Sequence, residues 1–249
     1  MSEPVAVPGL RGVAALLAHA PRRIHEVLTH GQPGGPRQAL IDQLLRAGIT
    51  VRNVAPARLE ALAGEAVHQG IIALAEPAPL VDWPSLWQPD ALILALDQVT
   101  DPRNFGAMLR SLEALGGTGA LITRDRCARP GPAVTKTSAG ASELLPIAME
   151  TNLARALRSG QQAGLQVVVA DLDGIHPADI DWTHPTVLVM GAEGQGIRRL
   201  TRDAADHVVT IPLVGQTASL NVSVAAGILL SAAADCRMRR ATKKPIEGA

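Results

Sequence analysis

The chain has 249 residues, 47% hydrophobic and 18% charged, the balance of a packed globular protein of one large or two modest domains, which excludes a disordered chain. Basic and acidic residues are equal at 23 each, which excludes indiscriminate coating of nucleic acid but not recognition through a local basic patch. Aromatic residues are 2%, with three Trp, one Phe and no Tyr, so Ala, Leu and Val must build the core and an extended stacking platform for single-stranded RNA is excluded.

In chain order, the first 75 or so residues predict a small α/β unit. Val13 to His19 reads as helix, Glu26 to Thr29 as strand, Arg37 to Ala47 as helix, Gly48 to Val54 as strand and Gly70 to Ala75 as strand. The second helix carries an apolar stripe of Leu40, Ile41, Leu44 and Leu45, with Gly48 as its stop. Residues 76–90 are proline-rich and predict a linker. Within it, Trp83 and Trp87 are expected to cover a domain junction rather than to stack on bases.

From Ala91 the pattern changes to strands alternating with helices, the signature of a mostly parallel sheet covered by helices. The predicted strands are Ala91 to Leu96, Ala120 to Thr123, Gln166 to Ala170, Val187 to Met190 and His207 to Ile211. A helix spans Phe105 to Leu115, and a long final helix runs from Leu220 to about Arg240, apolar almost all round. Such a helix is expected to be buried against the sheet or a second subunit. The predicted domains are 1–75, a linker at 76–90, 91–241 and a tail at 242–249.

Cys127 and Cys236 are the two cysteines and are far apart, and the seven His are scattered; neither a disulfide framework nor a metal site is expected. The start of the chain has no basic leader, and the longest apolar run, Val222 to Ala234, is broken by Ser223 and Ser231. That is short of the roughly 18 residues that span a bilayer. A cytoplasmic protein without membrane contact is expected.

Three segments carry candidate chemistry. In Leu96-Asp-Gln-Val-Thr-Asp-Pro-Arg-Asn-Phe-Gly-Ala-Met-Leu-Arg110, a buried strand ends in a turn and Asn104 is placed to cap the next helix. On that helix Met108, Leu109, Leu112 and Leu115 form the core stripe, while Arg110 projects nearly opposite, on the side of Gly106. In Val187-Leu-Val-Met-Gly-Ala-Glu-Gly-Gln-Gly-Ile197, a strand runs into three glycines whose backbone groups are exposed where open α/β sheets bind ligands. The glycine order is neither a Walker loop nor a dinucleotide fingerprint, and Glu193 is an acid that a plain connector does not need. In the third, Ile211-Pro-Leu opens a segment in which Ser219 and Asn221 start the final helix, as cap or as polar groups facing a cleft. Two basic clusters, Arg198, Arg199 and Arg202, and Arg237, Arg239, Arg240, Lys243 and Lys244, read equally as solvated helix faces or as RNA contacts.

Together these segments closely resemble the three SPOUT-class motifs of the SpoU/TrmH RNA 2'-O-methyltransferases: N-x-G-x-x-x-R, the G-x-E-G-x-G turn and I-P-x…S-L-N-V-S-V-A. The resemblance covers about Ala91 to Arg240. Ala66-Val-His-Gln-Gly-Ile-Ile-Ala73 further resembles the ribosomal-protein-L30e-like substrate domain of the subgroup that methylates a guanosine ribose in the peptidyl-transferase region of 23S rRNA. That subgroup opens with Tyr-Gly-hydrophobic-His-Ala-Val, whereas Pro8-Gly-Leu-Arg-Gly-Val13 stands here, with Arg11 in place of the His. The fold class implied is α/β, a SPOUT trefoil-knot domain with a mostly parallel sheet behind a small L30e-like α/β domain. The resemblance implies S-adenosyl-L-methionine held bent by Met190, Gly191, Gly194, Ile211, Leu213 and Leu220. It implies Arg110 at the ribose 2'-hydroxyl, oriented with Asn104, Glu193, Ser219 and Asn221. Because arginine is effectively never deprotonated, Arg110 is expected to stabilise the developing alkoxide rather than act as base. Implied partners are 23S rRNA, free or in a large-subunit assembly intermediate, and a second copy in a homodimer. The alternatives are a methyltransferase for tRNA or another rRNA position, a non-catalytic RNA-binding assembly factor, and a nucleotide-cofactor oxidoreductase, which the glycine order disfavours.

Overall fold

A computed structural model describes residues 4–32, 34–64, 67–192, 194 and 196–243. The chain divides into two compact units, residues 1–79 with 129–145, and residues 80–128 with 146–249.

The first unit is built on a four-stranded sheet. Its elements are β1 (Val5–Pro8), α1 (Leu10–His19), β2 (Ile24–Thr29), α2 (Pro36–Arg46), β3 (Val51–Asn53), α3 (Pro56–Ala63) and β4 (Ile71–Ala75), with strand order β1-β4-β2-β3. β4 pairs antiparallel with β1 and β2, and β2 pairs parallel with β3. Period-two alternation sorts β4 onto two faces: Ile71 and Ala73 join Val13, Leu16, Leu40, Ile41 and Leu44 in one cluster, and Ile72 joins Leu28, Leu59 and Ala63 in another. Leu45, expected in the α2 stripe, is exposed, because it lies about 90° off the centre of the arc that Leu40, Ile41 and Leu44 define.

Residues 129–145 are grouped with this unit, although they fall within the second predicted domain. They carry α5 (Pro132–Thr137), and their anchor is Glu143, whose buried carboxylate accepts hydrogen bonds from Arg23 Nη2, the Ala78 amide (2.8 Å) and Thr135 Oγ1 (2.8 Å). A charge removed from water is tolerated only when paired in this way.

The second unit holds β5 (Leu92–Asp97), α4 (Pro102–Ala114), β6 (Gly119–Thr123), β7 (Ile147–Glu150), α6 (Leu153–Gln162), β8 (Gln166–Ile175), β9 (Thr186–Gly191), α7 (Arg199–Arg202), β10 (His207–Val209) and α8 (Val222–Lys243). Its six strands lie in the order β10-β8-β9-β5-β6-β7, and every pairing is parallel. β5 is wholly buried and β9 nearly so, which is why both read as unbroken apolar runs. Ile93, Ala95, Val187 and Val189 pack with Leu153, Ala156 and Leu157 of α6. α4 packs on α8, and α8 also meets β9.

The 76–90 stretch is more structured than a linker. Val81 bridges to Ala148, and Trp83 and Leu86 are buried in the second unit's core. Trp83 donates from Nε1 to the Ala156 carbonyl at 2.9 Å and meets Trp87 edge-on at 5.8 Å. Neither a junction cover nor a base-stacking role describes Trp83; it is a core residue. α8 is less enclosed than its composition suggests: Ala226, Leu229, Leu230 and Ala233 are buried, while Val224, Ile228 and Met238 are exposed. Among the described residues no helix is long and apolar enough to cross a membrane.

Candidate functional site

The carboxyl ends of β5, β8, β9 and β10 converge on one region, and a glycine turn shapes it. β9 ends at Gly191, after which Ala192 pairs with Gly196 in an antiparallel bridge closed by a 2.9 Å bond from the Gly196 amide to the Ala192 carbonyl. The chain therefore doubles back on itself. A Cβ on Gly191 would lie 2.5 Å from the Gly196 carbonyl, a contact no side chain makes. Gly194 and Gly196 sit at φ +78° and +65°, in the left-handed region that glycine enters without steric cost. The three glycines are thus required by the turn's own geometry. Glu193, expected as a catalytic acid inside the turn, lies outside the described residues.

The turn is fastened to the sheet by an ion pair that the motif reading did not single out. Asp97, the fully buried last residue of β5, accepts from the Arg198 amide at 3.0 Å and from Arg198 Nε at 2.6 Å. Its signal in the sequence was an acid directly continuing a buried apolar strand, a position where a carboxylate must be paired. A second anchor joins Arg202 of α7 to Asp171 and Asp173 of β8, and the Arg202 guanidinium holds the Asp173 carboxyl below its ordinary range.

Between these anchors opens a cavity of about 770 Å³. Its walls include Asp171 from β8, Met190, Gly191 and Gly194 from β9 and its turn, Ile211 and Leu213 beyond β10, and Ser219, Leu220 and Asn221 before α8. All six residues expected at a cofactor, Met190, Gly191, Gly194, Ile211, Leu213 and Leu220, line this one space. Ser219 lies exposed on the same loop. Much of the wall is backbone, so hydrogen bonding comes from peptide groups and contact area from aliphatic side chains, the composition of a small-molecule pocket.

A second cavity of about 410 Å³ adjoins it, lined by Gln98, Val99, Thr100, Asp101, Asn104, Arg126, Ala192 and Val222; Ala192 and Val222 border both spaces. At the seam, Asn221 Nδ2 donates to Asn104 Oδ1 at 3.1 Å. The same Asn221 side chain caps α8, its Oδ1 accepting from the Ser223 amide at 2.9 Å and from Ser223 Oγ at 2.6 Å. Neither capping expectation holds in its original form. α4 is capped by Asp101, which accepts from the Arg103 amide with Pro102 following, so Asn104 stands inside the helix and its Oδ1 takes part in the seam. α8 is capped by Asn221 rather than Ser219.

Arg110 is exposed on α4 and lines neither cavity. It stands six residues beyond Asn104, roughly 9 Å along the helix axis. The neighbouring Ser111 faces α8 at Gly227, where a Cβ would sit 3.7 Å from Ser111 Oγ. The basic clusters are largely engaged within the chain. Arg198 and Arg202 hold the anchors above, Arg237 donates to the carbonyls of Asp90, Ala91, Trp182 and His184, and Arg239 pairs with Asp235. Cys127, near Asp97, has its thiol pushed up to about 11 by burial, with the Asp97 charge adding to the effect. Both cysteines are free, and among the described residues no group of His, Cys, Asp and Glu is arranged to hold a metal.

Comparison with known proteins agrees with this architecture. Residues 91–231 match the SpoU rRNA Methylase family, and residues 6–81 match the family of RNA 2'-O ribose methyltransferase substrate-binding domains. The 23S rRNA (guanosine-2'-O-)-methyltransferase RlmB of Pseudomonas syringae pv. tomato is 38% identical over 253 residues, covering 98% of this chain and 100% of that one. An AdoMet-bound rRNA methyltransferase from Sinorhizobium meliloti aligns with TM-score 0.73 and 25% identity, over 97% of this chain and 89% of that one. The A. aeolicus TrmH/SpoU tRNA modifying enzyme aligns over 64% of this chain and 84% of its own, with TM-score 0.56 and 28% identity.

Proposed function

The chain belongs to the SpoU rRNA Methylase family, and from that membership we propose that it transfers a methyl group from S-adenosyl-L-methionine to the ribose 2'-hydroxyl of a guanosine in the peptidyl-transferase region of 23S rRNA. The near full-length similarity to an RlmB protein supports rRNA as substrate. The tRNA-modifying relative matches only 64% of the chain, which favours rRNA over tRNA. Residues 1–75, overlapped by the substrate-binding family's match over 6–81, are the RNA-binding part; residues 91–241 are the SPOUT methyltransferase part, with the chain between β8 and α8 read as its trefoil knot. Acting on rRNA or on a large-subunit assembly intermediate, the protein works in the cytoplasm.

The observation that carries this reading is the paired carboxamide seam, Asn104 to Asn221, beside a cavity bordered by the Gly191 turn. The cavity fits S-adenosyl-L-methionine: its volume of about 770 Å³ lies within the range of small-ligand pockets, and its lining mixes aliphatic surface with accessible peptide groups. When bound, the cofactor supplies a methyl group activated on a sulfonium and open to displacement by oxygen. Met190, Gly191, Gly194, Ile211, Leu213 and Leu220 hold it. Asn104, Ser219 and Asn221, with Glu193, orient the acceptor ribose, and orientation of this kind removes much of the entropic cost of a bimolecular transfer. Arg110 stabilises the alkoxide character that develops on the 2'-oxygen.

The protein acts as a homodimer, with the second copy completing the site. Two observations support this: Arg110 lies outside both cavities of the single chain, and Val224 and Ile228, one turn apart on α8, are exposed beside the α4–α8 packing.

The test is methyl transfer from labelled S-adenosyl-L-methionine to large-subunit rRNA that lacks its own modification. Label is expected at one guanosine 2'-oxygen and is expected to fall at least about a hundredfold with Arg110→Ala or Asn104→Ala. Label on tRNA but not on rRNA would overturn the substrate, and no label on either would overturn the activity.

A further inference from the structure

The smaller cavity carries an inference that rests on the methyltransferase reading and deepens it. Its residues follow from two turns, one leaving β5 and one leaving β6. Gln98 comes directly after the buried Asp97, and Arg126 lies three residues past the end of β6. Both have left-handed backbones, at φ +64° and +55°. The left-handed region is uncommon for residues that carry a Cβ, and such conformations collect where a side chain must be aimed at a ligand. Two of the chain's non-glycine residues in this region therefore line one cavity.

Their side chains are also unspent. Gln98 is half-buried and Arg126 exposed, and among the described residues neither side chain has a hydrogen bond or ion pair within the chain. The other arginines around the site contrast with this, since Arg198 and Arg202 are committed to Asp97 and to Asp171 and Asp173. A carboxamide and a guanidinium facing one space of about 410 Å³ offer a donor-acceptor pair and a planar fork of donors.

Position gives these groups a partner. Ala192 and Val222 border both cavities, Asn104 of the seam lines the smaller one and Asn221 the larger, so the smaller cavity lies within reach of the base of a ribose held at the seam. A base entering such a pocket must leave its stack and is read there along its hydrogen-bonding edges. The guanidinium fork matches guanine O6 and N7, two acceptors side by side, and meets a donor at the equivalent adenine N6. We propose that Gln98 and Arg126 are specificity-determining residues: Arg126 reads guanine O6 and N7 in the smaller cavity, and Gln98 pairs with the remaining polar edge of the same base.

The experiment uses full-length protein and an in vitro transcript of 23S rRNA, with labelled S-adenosyl-L-methionine. Nuclease digestion and mass spectrometry identify the nucleoside that carries the 2'-O-methyl group, and calorimetry gives cofactor affinity. Gln98→Gly and Arg126→Gly are the chosen variants, because glycine accepts the left-handed backbone and so preserves the fold. Both are expected to lower kcat/KM by about ten- to a hundredfold, with cofactor Kd and melting temperature held or improved. A second transcript carrying adenosine at the methylated position is expected to gain relative to the guanosine transcript in Arg126→Gly. A wild-type protein that methylates guanosine, with variants that keep both kcat/KM and the guanosine-to-adenosine ratio, would overturn this inference alone. An equal loss on both transcripts would also overturn it, since that is the mark of a phosphate contact. A wild-type protein that methylates neither transcript would overturn the 23S rRNA reading on which this inference rests.

Discussion

Asn221 performs two functions with one carboxamide. Its oxygen caps α8 through Ser223, and its nitrogen donates to Asn104 across the seam. The two uses separate by substitution. Asn221→Ala removes both, and is expected to cost about 1 kcal/mol of stability as a lost N-cap along with at least tenfold in methyl transfer. Asn221→Asp keeps the capping oxygen and places negative charge at a helix N-terminus, which is favourable. It loses the donor, so Asn104 must either face an acceptor or rotate and reverse its polar atoms toward the cavity. Thermal unfolding is expected within about 2 °C of wild type, with methyl transfer down by about tenfold or more, the equivalent of about 1.4 kcal/mol in the barrier. Full activity in the Asp variant would reduce Asn221 to a helix cap.

At the scale of elements, the cavity depends on the turn that follows β9. Gly191→Ala drives a methyl group to 2.5 Å from the Gly196 backbone, and backbone cannot yield as a flexible side chain does. The expected cost is about 1–3 kcal/mol, as for an overpacked core, with at least tenfold weaker S-adenosyl-L-methionine binding by titration calorimetry. Gly215→Ala is the control, because a Cβ there meets nothing within 4 Å and binding should hold. Strands such as β5 and β9 were legible because burial on both faces forces an unbroken apolar run, and the glycines were legible because only glycine tolerates the turn. α6 was also there to be read: Asn152 caps it, and Leu153, Ala154, Ala156, Leu157 and Gly160 are its buried stripe. Its small residues and Gly160 blurred the helical period. Asn104 was expected to cap α4 from its place in the turn after β5, whereas Asp101-Pro102 three residues earlier is the start signal that the helix uses. The grouping of residues 129–145 with the first unit had no local signal. It rests on contacts distant in sequence, the packing of α5 on β1 and the Arg23–Glu143 pair, whose partners are 120 residues apart.

At the scale of the whole molecule, Arg110 decides how many chains make a site. Asn104 and Asn221 meet within one chain, yet Arg110, on the same helix as Asn104, is exposed and lines neither cavity. If a second copy brings its Arg110 to this seam, two individually inactive variants should rescue each other. Mixing Arg110→Ala with Asn221→Ala, after dissociation and reassembly, produces mixed dimers as half of the population. In each of these, one site carries both substitutions and the other carries neither. Activity should therefore return to about a quarter of wild type, as follows from two equivalent sites related by a twofold axis. An Arg110 that serves its own chain predicts no rescue, because both sites of a mixed dimer then hold one damaged residue. Sedimentation of each variant before and after mixing separates that outcome from a failure to exchange subunits, since exchange is read from a size-tagged copy.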